Sequence, residues 1–188
     1  MTQIAGVDLG EYHSVTDVFL EACDKYAQKP AFSCMGQTLS FTEMERLTAN
    51  FASYLQNHTD LMVGDRIAIQ LPNVLQFPIA VFGAMRAGMV VVNTNPLYTV
   101  REMEHQFNDS GAKALLILAN MASLAEQVVP KTGIKHVIVT ELADMHPFAK
   151  RLLINTVVKR VKKMVPAYAL PQALSFRETL ALGAKKAP

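Results

Sequence analysis

The 188-residue sequence has few cysteines, no long apolar run and no recognisable leader at its amino end. Its two cysteines, Cys23 and Cys34, have no metal-ligand neighbours and are too few for a disulfide framework, so both are expected to be reduced. No stretch of about 18 apolar residues is present, which excludes a membrane-spanning helix. A basic start followed by an apolar segment is also missing, so no signal peptide is predicted and a cytoplasmic protein is expected.

The common catalytic and ligand-binding motifs are missing as well. The sequence contains no dinucleotide-binding Gly-x-Gly-x-x-Gly, no Gly-x-Ser-x-Gly nucleophile elbow and no HExxH zinc motif. Gly83 and Gly88 have the spacing of a phosphate-binding loop, but no Lys-Ser/Thr follows Gly88. We interpret this pair as small residues for close helix packing and a glycine that ends a helix. The five histidines have no partner at metal-ligand spacing, so the sequence predicts no catalytic residue and no metal site.

Charge is scarce overall and unevenly distributed. The net charge is +2, which is too small to indicate nucleic-acid binding. Between Met145 and Arg177 there are seven Lys/Arg residues and no Asp or Glu. Removing these seven from the 18 basic residues leaves 11 against 16 acidic ones, a net charge of −5 for the rest of the chain. An acidic globular part is therefore followed by a strongly basic segment.

Hydrophobic patterning predicts an α/β fold. Residues 66–140 follow the order β-α-β-α-β-α-β, and the strands are continuous runs rich in Val, Ile and Leu. Such strands at regular spacing are typical of a doubly wound, mostly parallel sheet with helices on both faces. A helix from Ser14 and a short hairpin around Met35 are predicted before this region. We predict an N-terminal α/β subdomain at 1–140 and a basic helical insert with the start of a linker at 141–188.

The most informative loop is Asn93-Thr-Asn-Pro-Leu-Tyr-Thr99, which follows a buried strand. Ligands of open α/β sheets bind at the carboxyl ends of the strands, so this loop is a candidate for ligand contact. Alternatively, it is a plain strand-to-helix connection whose asparagines satisfy backbone groups and whose Thr99 caps the next helix. Residue chemistry alone leaves both interpretations open.

Several motifs occur in a specific order along the chain. They are Thr38-Leu-Ser-Phe-Thr-Glu43, Gly64-Asp-Arg-Ile-Ala-Ile-Gln-Leu-Pro-Asn73, Asn93-Thr-Asn-Pro-Leu-Tyr-Thr99, Arg101-Glu102 and Asp109-Ser-Gly-Ala-Lys113. Each motif is modest, but the ordered set covers nearly the whole chain and resembles the N-terminal region of the adenylate-forming enzymes. Within that superfamily the chain is most similar to bacterial long-chain fatty acid–CoA ligases, including the basic insert after Thr140.

The resemblance implies the activity of a longer parent protein. Such enzymes react a fatty acid with ATP to give an acyl-adenylate, while Mg2+ shields the phosphates, and CoA then displaces AMP to give acyl-CoA. This sequence lacks the family's Ser/Thr/Gly-rich phosphate loop ending in Pro-Lys-Gly, its ribose-binding acid and its catalytic lysine. We therefore expect ATP, CoA, Mg2+ and a long-chain fatty acid to bind the parent, and none of them to be bound by this chain, which is expected to be inactive alone.

The same resemblance gives the loop a position in the parent. It implies that the loop lies towards the CoA and acyl side, through the residues Asn95, Pro96, Leu97, Tyr98 and Thr99.

The resemblance leaves the preferred acyl-chain length open, and it leaves open whether the protein forms a homodimer. The alternative function is a non-catalytic α/β module that binds acyl chains or membranes. A coding sequence that continues beyond Pro188 into a Pro-Lys-Gly phosphate loop would distinguish the ligase from the module.

A basic amphipathic helix is predicted from Phe148 to Val165. On a helical wheel the aliphatic residues occupy one side, and Asn155 lies with the cations on the other. One hypothesis is docking on the anionic inner face of the cytoplasmic membrane, with the apolar side of the helix entering the headgroup boundary and the Lys/Arg side chains meeting the phosphates. The alternative is a helix packed on its own domain with a solvated basic face. We call the residues of the membrane hypothesis the four-cation cluster, namely Lys159, Arg160, Lys162 and Lys163.

Overall fold

Residues 12–186 are described by a computed structural model of the chain. The predicted units at 1–140 and 141–188 each include a few residues outside this range. The described part begins with helix α1 (Val15–Lys25), whose first turn is capped by the side chain of Ser14. This confirms the predicted start of the first helix.

A β-hairpin and a long helix follow α1. Strands β1 (Pro30–Cys34) and β2 (Gln37–Ser40) pair antiparallel, as predicted. The turn between them requires left-handed backbone at Met35, with φ of 50°, and at Gly36, with φ of 71°. Helix α2 (Phe41–Asn57) then begins directly after β2.

The main sheet has five parallel strands. They are β3 (Arg66–Gln70), β4 (Val90–Asn93), β5 (Ala114–Leu118), β6 (His136–Thr140) and β7 (Leu174–Ser175). Their order is β4-β3-β5-β6-β7, so the chain runs outward from β3 to β4 and then crosses back beyond β3. This order confirms the predicted doubly wound parallel sheet. Strand β4 lies at one end of the sheet and, within residues 12–186, pairs only with β3.

The helices that follow α2 are α3 (Gln76–Arg86), α4 (Val100–Ser110), α5 (Ala122–Val128), α6 (Phe148–Thr156) and α7 (Phe176–Gly183).

Helices cover both faces of the sheet. Ile67 and Ile69 of β3 belong to one apolar cluster, with residues of α1, α2, α3 and α7. Ala68 belongs to a second cluster, with residues of α4 and α5. Successive residues of a strand point to opposite faces, so the two clusters lie on opposite sides of the sheet.

Helices α2 and α3 approach each other closely at Gly83. A Cβ at this position would lie 2.9 Å from Phe51 Cβ and 3.0 Å from Thr48 O. Gly88 follows shortly after the end of α3 and has a left-handed φ of 78°. Both observations confirm that the two glycines serve close packing and helix termination.

The helix of the basic extension is shorter than predicted. α6 ends at Thr156 and continues as one wider, π-helical segment at Val157–Val161, without reaching Val165. The predicted extent was wrong because Lys163 has a left-handed φ of 51°, which a helix cannot include. Pro166 also disfavours helical backbone at the residue before it.

The side of α6 that faces the domain includes a polar residue. Asn155, which the helical wheel placed on the side of the cations, lies against the loop after β6. Its Oδ1 accepts a hydrogen bond from Ala143 N at 2.9 Å, and its Nδ2 donates to Asp144 Oδ1 at 3.4 Å. The loop after β6 offers polar groups that only a polar side chain can pair, and this overrides the aliphatic pattern.

Two elements after the basic helix have no counterpart among the predicted elements. β7 extends the main sheet beside β6, and α7 packs on α2. Ser53 Oγ of α2 donates a hydrogen bond to Lys186 O at 2.6 Å, which holds the end of the described chain against this helix. Residues beyond 141 therefore contribute to the main sheet as well as to the basic helix, and the division at residue 140 stays a prediction.

Candidate functional site

The carboxyl ends of the parallel strands form the edge where ligands of such sheets bind. β3 ends at Gln70, β4 at Asn93, β5 at Leu118 and β6 at Thr140. Polar residues end three of these four strands, although the strands themselves are apolar. The candidate site is therefore this edge and the loops that leave it.

The predicted loop after β4 lies at this edge and is held by its own backbone. Thr94 N donates to Ile69 O at 3.0 Å, which continues the pairing between β4 and β3. Asn95 Oδ1 accepts from Leu97 N at 2.9 Å, and Asn95 O accepts from Tyr98 N at 3.1 Å. These bonds form a tight Asx turn whose tip, Leu97, is 87% exposed.

The end of the loop is fixed by a capping box at the start of α4. Glu102 N donates to Thr99 Oγ at 3.4 Å, and Thr99 N donates to the Glu102 carboxylate at 2.8 Å. The Thr99 N–H and the Thr99 hydroxyl, which both donate to the carboxylate, lower the pKa of Glu102. The loop's side chains therefore satisfy backbone groups, and Thr99 caps α4, as the second interpretation states. Leu97 is exposed, and ligand contact by this loop stays a prediction.

Two glutamines donate hydrogen bonds to backbone carbonyl groups of the loop. The sequence interpretation did not identify either of them. Gln70 Nε2 donates to Asn95 O at 3.1 Å, and Gln106 Nε2 donates to Asn93 O at 3.2 Å. The Oε1 atoms of both side chains are buried and have no hydrogen-bond partner within the described residues. Gln70 is fully buried at the end of an apolar strand, and a polar residue in that place is the signal that could have identified it.

A second polar group lies at the end of β6. Gln76 Nε2 of α3 donates to Thr140 Oγ at 3.1 Å and to Glu141 O at 2.8 Å. The carboxylate of Asp144 accepts from Thr140 Oγ at 2.9 Å and from Glu141 N at 2.8 Å. Burial raises the pKa of Asp144, although these hydrogen bonds act in the opposite direction. This group fixes the loop from which α6 begins.

An apolar cavity of about 410 Å³ opens between the hairpin and α3. Cys34 is at its border and donates a weak hydrogen bond from Sγ to Asn73 O at 3.4 Å. Its remaining lining is mostly aromatic and aliphatic, with the side chains Phe32, Val74, Leu75, Phe77, Pro78, Val81 and Phe82. Such a lining suits an alkyl chain or apolar side chains of another segment, and it offers no cation for a carboxylate.

The four-cation cluster lies apart from the loop after β4. All four side chains are exposed, and within residues 12–186 no hydrogen bond or ion pair joins them to the loop. The basic extension does reach the carboxyl edge elsewhere, because Val158 and Val165 line a narrow crevice with Asn120 and Glu141. The structure therefore brings the extension to the edge of the sheet through its aliphatic residues and leaves the cations in solvent.

Metal ligands do not gather in the described part of the chain. Among residues 12–186, no group of three or more His, Cys, Asp or Glu side chains is placed to hold a metal ion. Within the same residues, none of the helices combines the length and apolarity that crossing a bilayer requires.

Known proteins are similar in sequence to this chain over most of its length. A long-chain-fatty-acid–CoA ligase of Haemophilus influenzae is 50% identical over 177 residues, which are 94% of this chain and 32% of that protein. The corresponding ligase of Escherichia coli O157:H7 is 50% identical over 169 residues, or 90% of this chain and 30% of that protein. The chain thus spans about a third of the length of the curated relatives it matches.

Solved structures and a family model agree with these relatives. The benzoate CoA ligase from Burkholderia xenovorans LB400 superposes with a TM-score of 0.67 at 20% identity, covering 88% of this chain and 28% of the other. At that identity the likeness shows the fold alone. Residues 19–179 match the family model of the AMP-binding enzymes. The chain therefore belongs to the AMP-binding enzyme family, as a segment homologous to the N-terminal region of long-chain-fatty-acid–CoA ligases.

Proposed function

We propose that this chain is the amino-terminal part of a ligase that activates long-chain fatty acids. The parent converts fatty acid and ATP to an acyl-adenylate and pyrophosphate, and CoA then displaces AMP to give acyl-CoA. The observation that carries the proposal is 50% identity over 94% of the chain to a ligase of that name. The rival function, a non-catalytic α/β module, is not favoured by this likeness.

Within this proposal the chain supplies the scaffold and one wall of the site. The tight turn with its exposed Leu97, supported by the buried Gln70 and the half-buried Gln106, contributes the wall on the CoA and acyl side. ATP and Mg2+ are substrate and metal of the whole ligase. The proposal assigns no Mg2+ ligand to this chain, since no described set of three metal-binding side chains comes together.

The proposal is tested first on the coding sequence and then on the longer protein. A continuation past Pro188 into a Ser/Thr/Gly-rich segment ending in Pro-Lys-Gly is expected. The longer protein should form AMP and acyl-CoA from palmitate, ATP and CoA. A stop codon at this point, or a longer protein without CoA-dependent AMP formation, would contradict the proposal.

The role of the loop is tested with one substitution and a matched control. In the longer protein, Leu97→Ala removes an exposed side chain without disturbing the hydrogen bonds of the turn. We expect the KM for CoA or for fatty acid to rise by about threefold to tenfold, because a substrate contact is lost. Met62→Ala is the control, since Met62 is 73% exposed and precedes β3 at the opposite edge of the sheet. Equal KM values in both variants would remove the loop from the site.

We further propose that the basic extension places the protein on an anionic membrane, at the inner face of the cytoplasmic membrane. The supporting observations are seven cations without an acidic residue between Met145 and Arg177, and an α6 in which no side chain is fully buried.

Vesicle co-sedimentation tests the membrane proposal. The chain should bind phosphatidylglycerol vesicles at low salt and bind them more weakly at high salt, because salt screens the electrostatic part of the attraction. Replacing all four residues of the four-cation cluster by Gln should weaken binding by up to about a thousandfold, at roughly 1 kcal/mol for each cation near the surface. A chain that stays in the supernatant at low salt would contradict the membrane role.

A further inference from the structure

The outward face of α6 is apolar. Its exposed residues are Phe148, Ala149, Leu152, Leu153 and Thr156. At 3.6 residues per turn these five fall within an arc of about 140°, and none of them is charged. A surface helix of an isolated soluble domain shows the opposite arrangement, with polar residues in this arc. Phe148 is 69% exposed, Leu152 58% and Leu153 65%.

This orientation is fixed by contacts on the inner side. Asn155 accepts a hydrogen bond from Ala143 N at 2.9 Å, and it also donates to the buried Asp144. Rotating α6 to bury Leu152 would break these bonds and leave Asp144 with fewer partners. The apolar side of the helix is therefore held outward by the fold.

The hairpin tip adjoins the same end of α6. Lys150 Nζ donates to Met35 O at 2.6 Å, and His146 Nε2 lies 3.4 Å from the same oxygen. The Met35 side chain is 45% exposed. Two elements that are far apart in sequence thus meet at this end of α6, and each has exposed apolar side chains. We call this surface, formed by Met35, Phe148, Ala149, Leu152 and Leu153, the apolar platform.

Cations border the apolar platform. Lys150 leaves α6 on the side of the hairpin, and the guanidinium of Arg151 lies 5.4 Å from the centre of the Phe148 ring. The four-cation cluster follows α6 in the chain. Acidic residues are absent from the entire segment between Met145 and Arg177. An apolar surface flanked by Lys150 and Arg151 matches the boundary of an anionic bilayer, with phosphates outside and acyl chains inside.

We propose that the apolar platform inserts into the headgroup boundary of an anionic bilayer, with Met35 and Leu152 among the residues that enter it. This inference rests on the proposed membrane contact and extends it. The hypothesis drawn from the sequence placed the aliphatic side of a helix from Phe148 to Val165 in the headgroup boundary, whereas the platform lies on α6 and includes the hairpin tip. The cations attract the surface, and the platform supplies the apolar contact that persists when salt screens the charges.

The absence of tryptophan from the sequence permits a direct test. A single tryptophan is introduced into the 188-residue chain as Leu152→Trp, Met35→Trp or, as control, Met62→Trp. The control residue is 73% exposed and precedes β3 at the opposite edge of the sheet. Vesicles of phosphatidylglycerol and phosphatidylcholine, with and without brominated acyl chains, are added. We expect a blue shift of emission and quenching by the brominated lipid for Leu152→Trp and Met35→Trp, and neither change for Met62→Trp.

The outcomes separate this inference from the proposed membrane contact. Vesicle binding without a blue shift at Leu152 or Met35 would overturn the platform and leave the four-cation cluster as the contact. No sedimentation with vesicles would overturn both. A blue shift that appears without lipid and grows with protein concentration would overturn the inference in favour of a second copy of the chain on this face.

Apolar substitutions give an independent measurement. The double variant Phe148→Ser/Leu152→Ser keeps every cation, and we expect its vesicle affinity to fall by about tenfold or more because two inserted side chains are lost. Since both residues are exposed, the fold should be retained, and circular dichroism verifies this. Unchanged affinity in a folded double variant would contradict the inference.

Discussion

Gly183 occupies a position that no other residue can fill. A Cβ on this residue would lie 1.8 Å from Asn50 O, 2.8 Å from Asn50 C and 2.9 Å from Tyr54 N. All three atoms belong to the backbone of α2, so no side-chain rotation can relieve the clash. α7 must instead move away from α2.

Gly183→Ala is therefore expected to destabilise the chain by about 2–4 kcal/mol, as overpacking against a rigid partner does. Gly133→Ala is the matched control, because its nearest neighbour, Ala112 O, is 3.9 Å from the added Cβ. Urea denaturation of both variants measures the difference in the midpoint. Midpoints within error of each other would show that α7 does not pack as described.

Asp144 makes stability depend on pH in a direction unusual for a carboxyl group. Burial raises the pKa of Asp144, so the folded state favours its protonated form. The unfavourable contribution of the charged form is absent at low pH and develops as pH rises through the raised pKa. Asp144→Asn keeps an acceptor for Glu141 N without the charge.

We therefore expect Asp144→Asn to gain stability relative to the unchanged chain as pH rises from about 4 to 7. The free energies of unfolding of both chains, measured in urea across this range, check the sign. A difference between the two chains that stays constant with pH would contradict the assignment of the buried charge to Asp144.

The core strands of the sheet could be predicted from the sequence, because their residue pattern indicates only one kind of structure. β3, β5 and β6 are continuous apolar runs, and runs of this kind between helices form buried parallel strands. β7 was not predictable from its own two residues, since its pairing with β6 depends on how α7 packs on α2. The packing of α7 in turn relies on a glycine contact that leaves no periodic signal in the sequence.

The basic extension shows a different limit of sequence patterns. The wheel correctly predicted a helix with an aliphatic side, but an aliphatic side has the same period whether it faces the domain or solvent. Asn155 decides the orientation through its bonds to the loop after β6. The end of the helix is decided by backbone conformation at Lys163, which no spacing of aliphatic residues indicates.

The loop of the candidate site could be predicted from the sequence, but the two glutamines that hold it could not. The position of Asn95–Thr99 after a buried strand follows from the sequence pattern, and the capping role of Thr99 is confirmed. Gln70 and Gln106 belong to β3 and α4, and they meet the loop only because the strand order places β3 beside β4. A single sequence does not indicate that β3 and β4 are neighbours in the sheet.

The capping box of α4 connects the loop to the stability of its helix. Thr99→Ala removes the Oγ that accepts from Glu102 N, and we expect a loss of about 1 kcal/mol. Thr99→Ser keeps this oxygen and is expected to stay within about 0.5 kcal/mol of the unchanged chain. Thermal or urea denaturation of the pair measures the difference. Equal losses in both variants would assign the effect to the missing methyl group rather than to the cap.

For the whole molecule, the chain is a folded lobe with a candidate binding edge at the carboxyl ends of its strands. The carboxyl edge presents an Asx turn, two supporting glutamines and a buried aspartate. Its described residues hold no set of metal ligands, and the sequence contains no phosphate-binding loop with its lysine. These properties fit the proposed role of a scaffold within a longer ligase.

The 188-residue chain alone is therefore expected to bind Mg2+–ATP no more tightly than about millimolar, since backbone cradles for phosphates are missing from its sequence. Isothermal titration calorimetry of the folded chain with Mg2+–ATP makes the measurement. The longer protein provides the comparison and should bind with clearly higher affinity. Micromolar binding by the 188-residue chain would show that a nucleotide site exists within it.

Strand β4 has a consequence for how the chain behaves in solution. It is an edge strand of the sheet formed by residues 12–186, three of its four residues are valines, and Val90 is 48% exposed. Its outer row of backbone N–H and C=O groups is a ready template for a strand of another molecule, without the charged residue or proline that usually blunts such an edge. Concentrated samples of the 188-residue chain will therefore tend to associate edge to edge, and a lysine in place of Val90 is the simplest means to keep them monomeric.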